Sequence, residues 1–191
     1  SSLCAGVLKF LAVFFTKINP MRKKSREMGA AWALEVMDSA PYITIGMTDK
    51  DGRPYAIPLS LARVGDQTFY FHCAPEGRKL VILRNNPQVC LTAVSKCKPT
   101  VGPKDRSFTL EFHSAIAYGN AEFVTDETEK KEALRVICKR FLPSHMDAFD
   151  SAVSRSIART EVIRITLTEP PVGKRKQYDA NGDEMKYGRT E

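Results

Sequence analysis

Phe69-Tyr70-Phe71-His72-Cys73-Ala74-Pro75-Glu76-Gly77-Arg78-Lys79-Leu80 is the stretch on which the fold turns. Its first half is aromatic and strand-like. Pro75 suits the first turn of a helix, and residues 78–84 continue it until Asn85-Asn86-Pro87 stops it. A strand feeding a helix start leaves backbone N–H groups unpaired at the partially positive end of the helix dipole. Gly77 lets a ligand approach the backbone, and Arg78 and Lys79 add two full charges in the same turn. Arginine can grip a phosphate with two hydrogen bonds, and lysine follows as a point charge. These residues describe an anion site; the competing reading makes Arg78 and Lys79 a solvated helix face.

The elements around this corner follow from periodicity. Residues 27–38 place Trp32, Val36 and Met37 at helical spacing, predicting a short amphipathic helix. Residues 42–47 are β-branched and end at Asp51-Gly52, a hairpin signal. Residues 54–61 form the returning strand, and its Pro54 and Pro58 cannot donate to a ladder, which places it at an edge or beside a ligand. A buried strand over 89–94, a loop over 95–107 and a long strand over 108–124 with a bend at Gly119-Asn120 come next. In that strand Phe108, Leu110 and Phe112 alternate with Thr109, Glu111 and His113, a half-buried pattern that turns His113 to the polar side. Asp126 and Glu129 resemble a capping box for the helix carrying Leu134, Ile137, Cys138, Phe141 and Leu142, which Pro143 ends. A further helix is expected over 144–157 with His145 exposed, then a strand over 162–168. After Pro170-Pro171 the pattern predicts a polar, basic tail, solvated unless a partner holds it. Strands punctuated by turns, with helices appended, give a small barrel of the α+β class.

Composition narrows the functional classes. A chain of 191 residues, 43% hydrophobic and 27% charged, suits one domain with a full core. The net charge of +7 is dispersed apart from residues 22–26 and 174–176, and neither cluster is interleaved with stacking aromatics, which argues against nucleic-acid binding. A basic balance equally suits a phosphorylated small molecule. Five cysteines without a CxxC pair point to a reducing, cytoplasmic compartment, and no metal site is expected. Residues 6–15 are apolar but too short to span a bilayer, and no membrane is expected as a partner. Residues 1–20 read either as an extension of uncertain origin, with Met21 as the natural start, or as an added helix packing on the domain or on a neighbouring subunit. The domain proper is then 21–168, with 169–191 as the tail.

Three blocks carry a family resemblance: Pro54-Tyr55-x-Ile57-Pro58-Leu59-Ser60, Phe71-His72-x-Ala74-x-Glu76-Gly77-x-Lys79, and Phe112-His113-Ser114-Ala115-Ile116-Ala117-Tyr118-Gly119. In this order they resemble the pyridoxamine 5′-phosphate oxidase superfamily, and more closely its nitroimidazole-resistance branch. The resemblance implies an FMN-binding split β-barrel, mainly antiparallel and of Greek-key type with peripheral helices, that forms a homodimer with FMN at the subunit interface. It implies that Arg78 and Lys79 hold the FMN phosphate and that Ile57, Pro58, Leu59 and Ser60 lie along the isoalloxazine ring. It also implies that a polar side chain at Ser114 reaches the flavin and that His72 is reactive beside it, where titration near neutrality suits proton delivery. Cys73 reads as a small packing residue or, alternatively, as a thiol beside the flavin. Where the vitamin B6 oxidase carries Arg and Lys on the flavin strand, this chain has Tyr55 and Ser60. The oxidase's C-terminal substrate signature is also missing from residues 170–176, which argues against vitamin B6 oxidation. The implied activity is FMN-dependent oxidoreduction of the nitroreductase kind, with a small-molecule substrate and NAD(P)H or another donor. The alternative is a flavin- or haem-binding split barrel without turnover.

Overall fold

The structure, a computed structural model, describes residues 21–188; the apolar run over 6–15 lies outside them. The elements in chain order are β1 (Glu27–Met28), α1 (Ala30–Ser39), β2 (Ile43–Thr48), β3 (Pro54–Leu59), β4 (Ala62–Val64) and β5 (Thr68–Cys73). They continue with α2 (Arg78–Asn85), β6 (Gln88–Val101), β7 (Phe108–Phe123), α3 (Glu127–Phe141), α4 (Phe149–Ser156), β8 (Glu161–Leu167) and β9 (Val172–Lys176). All strand pairings are antiparallel in the order β3-β2-β6-β7-β8-β5-β4, with β9 on β7 and β1 on β9. This is an α+β split barrel: the sequence pattern predicts the α+β barrel, and the family resemblance its split.

The split originates in the β6–β7 hairpin. Its lower part pairs residues 88–94 with 114–120, and its upper arm pairs 96–101 with 108–113. Ser95 is the extra residue of a bulge between them, and such a bulge bends and re-aims a strand. Above the barrel β7 takes β9 as its second neighbour over 112–116; lower down it takes β8 over 119–123. Gly119 sits where β8 comes closest: an added Cβ would stand 2.7 Å from the Thr166 carbonyl oxygen. The glycine thus serves strand contact rather than the expected bend, and β7 runs through it unbroken.

Inside the barrel, Ile43, Ile45, Phe69, Phe71, Leu91, Ile163 and Ile165 are fully buried, with Met37 of α1 and Leu80 of α2 plugging the core. A smaller cluster under α3 and α4 holds Leu134, Phe149, Val153 and Val162. Asp126 caps α3 through the Glu129 N–H at 2.7 Å, as the capping-box pattern predicts. Among the described residues no helix is long and apolar enough to cross a membrane.

Several elements depart from expectation. The first helix starts at Ala30, because Glu27 and Met28 are taken as a strand by β9. Pro75 lies outside α2, which begins at Arg78 with Gly77 as its cap residue. The segment 95–107 is not one loop: the hairpin arm consumes most of it, leaving only the turn over 102–107. The single helix expected over 144–157 is a 3-10 segment, Pro143–Ala148, followed by α4, since His145 takes a non-helical conformation. Residues 172–176 are a strand, not a solvated tail. Gly173 lies against the Trp32 ring, where a Cβ would come within 2.4 Å.

The upper arm of β7 is inverted. Phe108 is 94% exposed and Leu110 44%, while Glu111 is buried and His113 packs edge-on against Trp32 at 5.2 Å. Phe108 and Leu110 therefore face away from the described core.

Candidate functional site

The corner between β5 and α2 builds a small positive cradle. Gly77 adopts φ 133°, a backbone conformation that side-chain-bearing residues rarely take, and nothing lies within 4 Å of where its Cβ would be. The first helical turn has no side-chain cap, and the Gly77 carbonyl accepts from the N–H groups of Leu80 and Val81. The earlier N–H groups of Arg78 and Lys79 project at the helix start. Lys79 stands beside the Cys73 thiol; burial pushes that thiol's pKa up, against the pull of the ammonium. An anion with several acceptor oxygens fits this cradle.

Arg78 is more committed than its sequence position suggests. Its guanidinium lies 3.5 Å from the Asp49 carboxylate and stacks over the Tyr55 ring at 5.0 Å, though it remains 47% exposed. Asp49 also accepts from the backbone N–H groups of Asp51 and Arg53, which holds its carboxyl below the usual range. The β2–β3 turn is thereby clipped to α2, and a cleft of about 330 Å³ opens between them. Asp49 escapes a motif search. Its one sequence signal is an Asp opening a tight turn, where its side chain bonds the backbone two residues on.

His72 projects from β5 opposite Val162. The residue is exposed at the surface, yet the atoms around its ring desolvate the imidazole enough to lower its pKa. The imidazole is therefore neutral at pH 7 and able to relay a proton.

Among the described residues β3 pairs only with β2, which leaves its other edge open there. Ile57 and Leu59 lean on the core, whereas Pro58 and Ser60 are exposed. A free edge whose prolines lack N–H groups leaves room for a flat ligand along the backbone.

Ser114 is not brought to the His72 corner by strand order. It stands on β7 between Val94 of β6 and Lys174 of β9, its hydroxyl 3.5 Å from the Lys174 carbonyl oxygen. β8 stands between β7 and β5 and meets β7 only over Gly119–Phe123, farther along the strand than Ser114, while three strand spacings, about 14 Å at roughly 4.8 Å each, separate β7 from β3. Ser114 belongs to a second surface, the outward face of the sheet. Directly opposed residues share a face, so Pro58, Thr44, Thr92, Ile116 and Val172 form one row there. Ala56, Gly46, Cys90 and Tyr118 form the next. Val94 is 50% exposed, Tyr118 43% and Ile116 36%, and a depression of about 580 Å³ lies between β2, β6 and β7. Cys90 and Tyr118 meet across the strands, and burial pushes both groups' pKa up. Among the described residues, no cluster of three or more His, Cys, Asp or Glu could hold a metal ion.

Residues 30–172 match the family described as pyridoxamine 5′-phosphate oxidase, and the chain belongs to that family. No curated protein sequence matches it. Among solved structures it is similar to a candidate 5-nitroimidazole antibiotic resistance protein from Bacteroides thetaiotaomicron VPI-5482. The identity is 23% and the TM-score 0.64, over 78% of this chain and 87% of that one. It is also similar to a flavocytochrome from Azotobacter vinelandii, at 19% identity and TM-score 0.71, over 90% of this chain and 83% of that one. A FAD- and haem-binding protein from Mycobacterium smegmatis matches at 18% identity and TM-score 0.69, covering 86% of this chain and 84% of that one. These likenesses establish the shared fold.

Proposed function

We propose that the protein is an FMN-dependent oxidoreductase, acting as a homodimer on a planar, electron-poor small molecule of the nitroaromatic kind. The observation that carries this reading is the cradle at Gly77-Arg78-Lys79, open above the glycine, in the block whose resemblance implies a phosphate contact. Lys79 and the helix N–H groups would hold the phosphate, with Arg78 swinging from Asp49 to join them. The open edge of β3, from Ile57 to Ser60, would line the ring. When bound, FMN would supply the electron transfer, and the protein's part is to place it and shape its surroundings. Neutral His72 would accept a proton at one ring nitrogen as it releases one from the other, acting as a relay for reduction. Solved relatives of this fold include proteins whose names record flavin and haem, which supports a planar redox cofactor.

The homodimer is supported by the inverted arm. Phe108, Leu110 and Phe112 have the alternation of a covered face, yet among the described residues Phe108 and Leu110 are left exposed. Their face runs through Ser114, Ile116 and Tyr118 into the outward sheet. A second copy laid on this surface would set Ser114 toward a flavin held by its neighbour's corner, since strand order keeps it from its own.

The test is a visible spectrum of the purified protein with cofactor extraction, followed by FMN titration of the Arg78→Ala/Lys79→Ala double variant. Charge-assisted hydrogen bonds are each worth about 1.5–3 kcal/mol, so the double variant loses about 3–6 kcal/mol, or roughly 10²- to 10⁴-fold in affinity. Unchanged affinity refutes the phosphate assignment. A haem spectrum in place of a flavin one refutes the cofactor.

A further inference from the structure

We propose that Asp49 is a built-in competitor of the cofactor's phosphate: it holds Arg78 on the β2–β3 turn, and the anion must take Arg78 from it in order to bind. The proposal rests on the reading of the corner as a flavin phosphate site. It assigns a positioning residue that acts through Arg78.

The turn aims the carboxylate. Asp49 donates its N–H to the Arg53 carbonyl and accepts from Gly52 at its own, both at 3.0 Å, which closes the end of the hairpin. Its Oδ1 accepts from the N–H groups of Asp51 at 3.0 Å and Arg53 at 2.9 Å. Those two bonds belong to the turn and fix the side chain. Oδ2 is left over, and it faces the Arg78 guanidinium at 3.5 Å with only 19% of the side chain exposed. The turn does not depend on this pair for its place beside α2. The Asn86 side-chain N–H donates to the Thr48 carbonyl at 3.3 Å and ties the two elements independently.

The guanidinium is drawn to one side of the corner. It lies over the Tyr55 ring at 5.0 Å, and Tyr55 belongs to β3, so ring and carboxylate together shelve Arg78 against the hairpin. Lys79 instead stands beside the Cys73 thiol at the end of β5. Two cations adjacent in sequence thus lean on different walls, Arg78 on the hairpin and Lys79 on β5. β3 leaves the turn at Pro54 and runs on to the Ile57–Ser60 edge. The same ion pair therefore ties the phosphate corner to the strand proposed to line the ring.

A guanidinium that leaves a carboxylate for a phosphate exchanges one anion for another, so it contributes only the difference between the two. With Arg78 47% exposed, its pair with Asp49 holds it by about two- to fivefold, a range small enough for a phosphate to overcome. Coupling of this kind is reciprocal: the phosphate that captures Arg78 loosens the turn by the factor the turn costs the phosphate. The carboxylate also repels a phosphate through its field, whatever Arg78 does, and the test must separate the two effects.

The experiment is a double-mutant cycle: FMN titrations of wild type, Asp49→Asn, Arg78→Ala and the double variant, followed by flavin fluorescence at one ionic strength. Asparagine keeps an oxygen acceptor for the turn. Asp49→Ser, whose hydroxyl can serve the same turn, is a second uncharged version. Both single variants at Asp49 are expected to bind FMN about two- to fivefold tighter than wild type. The gain should shrink to less than about 1.5-fold when Arg78 is already alanine. A gain below about 1.5-fold in the wild-type background, or a loss, overturns the proposal, because Asp49 would then not withhold Arg78 from the phosphate. An equal gain in both backgrounds overturns it too, since the carboxylate would then act by its field alone. A wild-type protein that takes up no FMN overturns the underlying reading instead, so the starting titration tells the two failures apart.

Discussion

Truncating Phe108 to alanine should weaken the dimer without weakening the fold. The ring is 94% exposed in the single chain, so its removal takes almost nothing from the protomer's own core. Full burial of a phenylalanine side chain is worth about 1.5–3 kcal/mol, and nearly all of that remains for a partner to realise. A twofold dimer carries the change in both copies, which makes about 3–6 kcal/mol and a roughly 10²- to 10⁴-fold rise in dissociation constant. Leu110, at 44% exposure, should contribute less than half as much per copy. Sedimentation equilibrium from nanomolar to 100 micromolar protein measures the constant, and thermal unfolding of the dissociated protomer checks that the fold is intact. The reasoning is refuted if wild type is monomeric throughout, or if Phe108→Ala dimerises within threefold of wild type. In either case the exposed alternation of β7 would need another occupant.

Asp126→Ala removes the N-cap of α3, where the carboxylate accepts the Glu129 N–H at 2.7 Å; about 1 kcal/mol of stability and about 2–4 °C of Tm should be lost, read by circular dichroism. Arg140 donates from α3 to the carbonyls of Met37 (2.7 Å), Asp38 (2.9 Å) and Ala40 (3.1 Å) at the end of α1, and to that of Leu61 just beyond β3. Arg140→Met should cost about 3 kcal/mol or more in urea denaturation by orphaning these acceptors, and Arg140→Lys should recover only part of it, having no planar fork. His72 and His113 both have lowered pKa values, His72 by burial and His113 by burial first and then by Arg175 and Lys96. Below the ordinary histidine pKa the unfolded chain therefore binds more protons than the folded one. Stability should be full above about pH 6.5 and fall as the pH drops towards 5. The His72→Gln/His113→Gln variant should flatten that slope in urea midpoints at pH 5 and 7.5, and an unchanged slope would place the acid sensitivity elsewhere.

How much could be read in advance depends on whether the cause of an element lies in its own residues. Pro54 and Pro58 lack N–H groups, which by itself confines β3 to an edge. Asp126 and Glu129 cap α3 within one turn, and these features hold in the structure. The arm over 96–101 was illegible because Lys96, Lys98 and Pro99 have little strand preference of their own; they are strand because β7 pairs with them. The basic run Val172–Lys176 is a strand for the same reason, held by β7 and β1. The site divides along the same line. Gly77, Arg78 and Lys79 are adjacent in sequence, so their cradle shows in the residues, whereas Asp49 enters only through its ion pair with Arg78, well along the chain. The arm of β7 is the instructive failure. Its alternation of Phe108, Leu110 and Phe112 was read correctly as a two-faced strand, and the structure turns the polar set inward. A period of two says that one face is covered; it does not say whose atoms cover it. Trp32 and the C-terminal strand draw His113 and Arg175 to the inner side, and the apolar residues are left outside on the face shared with Ser114 and Lys174. A sequence pattern that reads as core and folds as surface calls for a cover from outside the described residues, which the proposed homodimer would supply.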